Sequence, residues 1–419
     1  MQSSDPFLNI STSIQLLTDY SIFWAPVVLV FIAWYFWVQY IQILFISKMK
    51  WVLFEVKIPR DVFKSPLAME MVLINAFHQT GGTGTWYAKW WEGKVRMWFS
   101  LEIVSLEGKI YFFIRVPEAF RKLTESQIYA QYPRAEITEV PDYTKMVPMY
   151  TKNGDLGVWG CEFVLSKHDA YPIKTYIDYG LDKAVGMLDE EQRVDPITSM
   201  IESMASVGQG EQIWVQILIR ASTDRYDDPK KWFGKRGWKD EGRSMLEELL
   251  KSYKGEKDKP PSKIMTKGVE ENIKSIERHL NKLGFDCGIR AVYLAKKDQY
   301  NGVHAHSILS SVRQYNSGEM NGFKPTNVTG FDYPWQDRSG NKTAQQKVDL
   351  IKAYKNRSYF YPPYNKAYTG SLFKKIRKPF VLSSEELATV FHFPGKVSET
   401  PGFSRIESKS SEPPANLPI

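Results

Sequence analysis

Three hydrophobic rhythms run along this chain, and each change of rhythm predicts a change of structure. From Ser21 to Ile46 the sequence SIFWAPVVLVFIAWYFWVQYIQILFI is apolar without a single charge. A helix of ~20 such residues crosses the ~30 Å hydrocarbon layer of a bilayer, so 21–46 is predicted to be a transmembrane helix. Residues 1–20 carry no Lys or Arg, which argues against a cleaved signal peptide. Lys48, Lys50, Lys57 and Arg60 follow the span, whereas Asp5 and Asp19 precede it. The positive-inside rule then makes 1–20 a short extracytoplasmic N-terminus. The protein is expected to be a single-pass protein of the cytoplasmic (inner) membrane, with the bulk of the chain in the cytoplasm. Trp34, Trp37 and Tyr40 suit the cytoplasmic headgroup level.

After Lys50 the rhythm alternates between periods of two and 3.6. WVLFEVKIP (51–59) reads as a strand closed by proline. Ser65-Pro66 is an N-cap followed by proline at the first helical position. Met69, Val72, Ala76 and Phe77 then repeat at helical spacing, predicting a helix over 66–79. Val95, Met97, Phe99, Leu101 and Ile103 alternate with Arg96, Trp98, Ser100 and Glu102, a strand of period two. LEGK (106–109) turns it, 110–117 returns as a strand, 118–132 is helical and 135–140 is a last strand. The order β-α-β-β-α-β predicts a ferredoxin-like domain over 50–142.

A second domain of the same plan is predicted over 155–328, with strands at 156–167, 211–222 and 287–296 and helices at 197–207 and 302–316. Its charged insertion, 223–284, ends in a helix whose stripe is Val269, Ile273, Ile276, Leu280 and Leu283. An extension, 329–395, holds a helix at 342–354 and a short amphipathic turn capped by Ser384. Residues 396–419, low in complexity, read as a flexible tail. The fold class is therefore α+β: one N-terminal transmembrane helix, two ferredoxin-like domains, the second with a helical insertion, and an irregular C-terminal tail.

One loop invites a different chemistry. Gly81-Gly82-Thr83-Gly84-Thr85 has the composition of a phosphate cradle. Such a cradle needs a strand, then the glycines, then a helix opening with Gly-Lys-Ser/Thr. The glycines here follow a predicted helix, and GxxxxGK[ST] occurs nowhere in the sequence. The loop is expected to be a connector. With only Cys161 and Cys287, neither a disulfide framework nor a cysteine zinc site is expected. His304 and His306 are the one close histidine pair, and on a helix residues two apart diverge. Asp189-Glu190-Glu191 is an acidic run without a partner constellation. No catalytic residue, cofactor or metal site is predicted, and the chain is read as non-enzymatic.

The formal net charge of +8 suits a mildly basic cytoplasmic face or an acidic partner. Lys230, Lys231, Lys235 and Arg236 in the insertion, with Trp86 and Trp90 after the glycine loop, form the alternative reading: a membrane-tethered nucleic-acid-binding module. Mixed signs within the insertion weaken it, because neighbouring carboxylates offset the attraction to phosphate.

LSSEELATVFHFPG (382–395), followed by EPPANLP (412–418), resembles the segment ahead of the motor domain in conjugation-type (type IV secretion) ATPases, and GEQIWVQILIR (210–220) is similar to a strand of their N-terminal region. The cytoplasmic portion resembles an uncharacterised membrane-anchored bacterial family linked to such machinery. The sequence departs from the ATPases in ending where their phosphate-loop domain would begin. The resemblance implies a non-catalytic scaffold or docking component that binds a separate ATPase. The apolar span makes the lipid bilayer a partner, and a homo-oligomer is a further candidate partner. Its implied docking residues are Glu385, Glu386, Leu387, Phe391, His392, Phe393 and Pro394.

Overall fold

A computed structural model describes residues 15, 18–59, 64–79, 84–182, 194–223, 226–227, 235–254, 266–363 and 377–394. The chain divides into two compact units, residues 1–49 with 81–96, and residues 50–80 with 97–419.

The smaller unit is built on the helix Ser21–Lys48, 28 residues long. It is long and apolar enough to cross a membrane, and its apolar window is wholly unburied. Pro26 lies in its first turns, where a missing amide costs least. A five-residue helix, Trp86–Trp90, packs on it, its N-terminus capped by the Thr85 hydroxyl. The glycine-rich stretch thus does precede a helix, but one that caps itself and opens with Trp-Tyr-Ala. Gly81, Gly82 and Thr83 lie outside the described residues.

The larger unit is a mixed α+β body around one nine-stranded sheet. Its strands are β1 (Trp51–Lys57), β2 (Phe99–Leu106), β3 (Lys109–Pro117), β4 (Glu136–Glu139), β5 (Leu156–Leu165), β6 (Glu211–Ala221), β9 (Gly284–Lys296), β10 (Phe323–Thr326) and β11 (Phe380–Ser383). A separate two-residue ladder pairs β7 (Tyr226–Asp227) with β8 (Lys235–Arg236). The order across the large sheet is β10-β5-β9-β6-β2-β3-β1-β4, with β11 also on β9. Every neighbouring pair is antiparallel. The two halves predicted as separate domains share this sheet, because β2 pairs with β6 from Phe99↔Ile219 to Leu106↔Gln212.

Period-two alternation gives the sheet two buried faces. On one, Phe99, Leu101, Ile217, Ile219, Phe285 and Cys287 meet side chains of the helices Pro66–Val72, Arg121–Gln131, Pro196–Ala205, Val303–Ser311 and Ser384–Val390. On the other, Val104, Trp214 and Val292 meet Leu350, Ile351 and Tyr354 of the helix Asn341–Lys355. The turn Glu107-Gly108 has φ of 53° and 84°. Two left-handed residues in succession suit the twist of a tight hairpin.

Several local expectations shift. β2 starts at Phe99 rather than Val95. The helix from Pro66 keeps its Ser65 cap but widens into a π turn over Leu73–Phe77. The cap of the last helix is Ser383 rather than Ser384, because Ser383 and Glu386 complete a reciprocal capping box. Among its described residues the insertion holds two helices, Trp238–Lys254 and Lys267–Asn281, and Trp238, Ile276 and Leu280 pack with Val381 of β11. On the predicted stripe Ile273, Ile276 and Leu280 are buried, while Leu283 is exposed.

Candidate functional site: a C-terminal strap on a buried charge cluster

Residues 377–394 form a strap that enters the sheet as β11 and turns into the helix Ser384–Val390. The turn follows from the Ser383–Glu386 capping box: the Ser383 hydroxyl accepts from the Glu386 amide, and the Glu386 carboxylate accepts from the Ser383 amide at 2.7 Å. Leu387, Phe391 and Phe393 then fill the main core, with Phe391 and Phe393 edge-on to Phe112. All seven residues expected to dock a partner, Glu385 to Leu387 and Phe391 to Pro394, are buried. Their side chains are spent on the protein's own interior and present no surface.

Two strap carboxylates and one from the helix Pro66–Val72 gather under the end of the insertion. Glu70 accepts from the hydroxyls of Tyr176 and Ser384 at 2.8 and 2.7 Å and from the Lys282 ammonium at 2.8 Å. Glu385 accepts from the Thr175 hydroxyl at 2.7 Å and lies 3.2 Å from the Arg278 guanidinium. Glu386 accepts from the amide of Ile173 at 2.8 Å and lies 3.0 Å from Nδ1 of His279. Arg278, His279 and Lys282 come from one helix end, so a short run of the insertion faces all three acids.

The energetics of the cluster follow from burial. Burial pushes the Glu385 carboxyl upward, against the Thr175 hydrogen bond and the charges of Arg278 and Lys282. At His279 burial opposes the charged ring. The Glu386 carboxylate, a hydrogen bond to it and the carbonyl of Asp169 outweigh burial and raise the pKa. Both ring nitrogens face acceptors, Nε2 lying 3.0 Å from the Asp169 carbonyl. Removing one partner from such a buried pair leaves an uncompensated charge, at a cost of about 3–5 kcal/mol. This geometry clamps; the acids are neutralised by cations rather than aimed at an open site.

His392 closes the strap, its Nδ1 lying 2.9 Å from the Ala388 carbonyl and its Nε2 3.0 Å from Asp195, which also caps the helix Pro196–Ala205. His304 and His306 lie on the predicted helix and diverge: His304 is 3.5 Å from Glu211, and His306 is 3.2 Å from the carbonyl of Gly302. Among the described residues, no group of three or more His, Cys, Asp or Glu could hold a metal ion. Trp90 packs against Trp34 of the apolar helix, at 5.9 Å between ring centroids, while Trp86 is exposed. Lys235 and Arg236 form β8, in the other unit. Lys230, Lys231 and Asp189 to Glu191 lie outside the described residues.

An open cleft of 570 Å³ lies where β5, β6 and β9 meet the loop after β4. Exposed Met146 and Met149 line it with Pro148, and Glu107, Asp155 and Lys296 bring charge. Exposed methionines on such a wall suit an adaptable protein contact.

A family model described as a domain of unknown function (DUF8128) matches residues 89–405. The chain belongs to this family. The DUF8128 match takes in the insertion and the whole strap, and leaves out the apolar helix, β1 and Glu70. No curated protein matches the chain.

Sequence reasoning missed the partners of the strap more than the strap itself. Glu70 stands at helical spacing with Pro66, Leu73 and Phe77, an acid on an apolar stripe, which is a signal for a buried ion pair. His279, beside Leu280 of the insertion's stripe, is a weaker one.

Proposed function

We propose that this protein is a membrane-anchored, non-catalytic scaffold of a type IV secretion or conjugation-like machinery, which docks a separate ATPase through its C-terminal end. The observation that carries this reading is the strap: a buried, charge-clamped segment roots whatever follows Pro394 at a fixed point of a folded body. The apolar helix supports anchoring in the cytoplasmic membrane, and the resemblance of 382–395 to a pre-motor segment supports the kind of partner. The methionine-lined cleft supplies a second contact surface. The same reading takes the sheet as two ferredoxin-like units joined edge to edge, since β4-β1-β3-β2 and β10-β5-β9-β6 repeat one order.

The test is co-purification of the detergent-solubilised full chain with neighbouring gene products. An ATPase should be recovered with it, lost on deleting 396–419 and weakened by Met146→Glu. Recovery of no ATPase, or equal recovery with the deleted chain, overturns the reading.

A further inference from the structure

The helix Ser21–Lys48 carries a second element of its own unit. Residues 84–96 fold onto it along a line from Trp34 to Ile41. Trp91 is edge-on to both Trp34 and Trp37, at 6.1 and 5.8 Å between ring centroids. The Trp37 indole donates to the carbonyl of Trp90 at 3.3 Å. Beyond the tryptophans, Gly93 takes a left-handed φ of 69°, and a Cβ there would overlap the backbone carbonyl of Ile41. The two backbones touch at that point, and Ile41 is the helix's buried residue. The amide of Lys94 bonds to the Ala88 carbonyl at 2.9 Å and closes the segment on itself.

The level of this contact along the helix is informative. Twenty-eight residues rise about 42 Å, whereas the hydrocarbon layer is ~30 Å thick. Counted from Ser21, that thickness is used up near Tyr40. Trp34, Trp37 and Tyr40 therefore stand in the last two turns before water, where amphipathic rings concentrate. The segment 84–96 is docked at this same level.

Its outer side is exposed and aromatic. Trp86 is 68% exposed, Tyr87 55% and Trp91 46%, and Trp91 touches Trp34 and Trp37 of the helix, which are themselves exposed. Between them Lys89 holds its ammonium 4.7 Å from the Trp90 ring centre. Rings with one apolar body and one polar tip, interleaved with lysine, match the chemistry of the boundary between acyl chains and headgroups.

We propose that residues 84–96 are a membrane-surface element: Trp86, Tyr87 and Trp91 enter the headgroup–acyl boundary of the phospholipid layer, and Lys89 and Lys94 face its phosphates. The inference rests on the helix being a membrane anchor, and goes beyond it in giving the protein a second lipid contact, 38 residues further along the chain than Lys48 at Trp86. The aromatic cluster that the sequence offered to nucleic-acid bases is thereby assigned to lipid.

The test uses the full chain in phospholipid nanodiscs, with a fluorescent label on Tyr87→Cys or, as a reference, on Phe31→Cys. Cys161 and Cys287 are buried and burial pushes both thiols up, so neither competes for label. Label at 87 should be quenched several-fold more by lipids spin-labelled near the headgroup than by lipids labelled near the chain end, and be shielded from aqueous iodide. Label at 31 should show the reverse depth preference. Free access of iodide to 87, with 31 in lipid, overturns the proposal and leaves the anchor standing. Shielding of 87 from both iodide and lipid quenchers overturns it in favour of a protein cover. Access of iodide to 31 removes the anchor, and this inference with it.

Discussion

The guanidinium of Arg357 donates to both carboxylate oxygens of Glu102, at 2.9 and 3.1 Å, across 255 residues of sequence. Both side chains are fully buried, and Ser100 and Tyr143 donate to the same carboxylate. Arg357 holds this position from a left-handed φ of 48°, a conformation that ends helices and normally favours glycine. Burial acts to raise the Glu102 carboxyl, but the charge and hydrogen bonds of Arg357 hold it below its ordinary value. Arg357→Ala should therefore destabilise the body by about 3–5 kcal/mol, since it leaves Glu102 buried and unpaired. Denaturant unfolding followed by tryptophan fluorescence measures this. A loss below ~1 kcal/mol would mean that water reaches Glu102.

His279 and Glu386 predict a pH dependence. His279 has a folded pKa above its ordinary value of 6.5. Its contribution is complete below that ordinary value and is lost as pH rises through the raised one. The melting temperature of the wild type should fall relative to that of His279→Gln as pH climbs above 6.5, the ordinary value of the ring. Parallel curves would show that the ring is neutral in the folded protein.

Gly93 predicts a local effect. Gly93→Ala places a Cβ into the Ile41 carbonyl and forces a left-handed conformation, worth roughly 1–2 kcal/mol in strain alone. Trypsin should then cut at Lys89 and Lys94 several-fold faster in detergent. Gly302→Ala, whose Cβ would meet nothing within 4 Å, is the neutral reference. Equal cutting of the two variants would mean that 84–96 is not held by this contact.

The insertion should matter to the strap. Lys282→Ala leaves Glu70 to the Tyr176 and Ser384 hydroxyls alone and weakens the clamp by about 1–3 kcal/mol. The effect should shrink in a Glu70→Gln background, which a double-mutant cycle reads directly. Additive losses would mean that the two groups are not coupled.

Much of the architecture was legible because short-range rules decide it. The Ser65 cap, the Glu107-Gly108 turn and the long apolar strand at 211–221 are local signals that tertiary packing did not override. What the alternation in β2 leaves open is decided non-locally. Alternation places Glu102 opposite Leu101 and Ile103, but whether that opposite side meets water depends on Arg357, far along the chain. The strap is alike: its resemblance offers Glu385 and Glu386 to a partner protein, whereas Arg278, His279 and Lys282 of the same chain face the cluster they belong to. Charges that neutralise one another at long range leave no period in the sequence.

Synthesis order gives the strap one more consequence. β11 and the helix behind it are made after the other strands, yet they fill the interior beside Phe112, Glu70 and β9. A nascent chain that has emerged only to Pro363 has an open seam there, with apolar and acidic groups facing water. Maturation of the body therefore waits on translation of the strap, long after Ser21–Lys48 has left the ribosome. Chains halted before Phe380 should be digested rapidly by protease, and supplying 377–394 as a peptide should restore resistance.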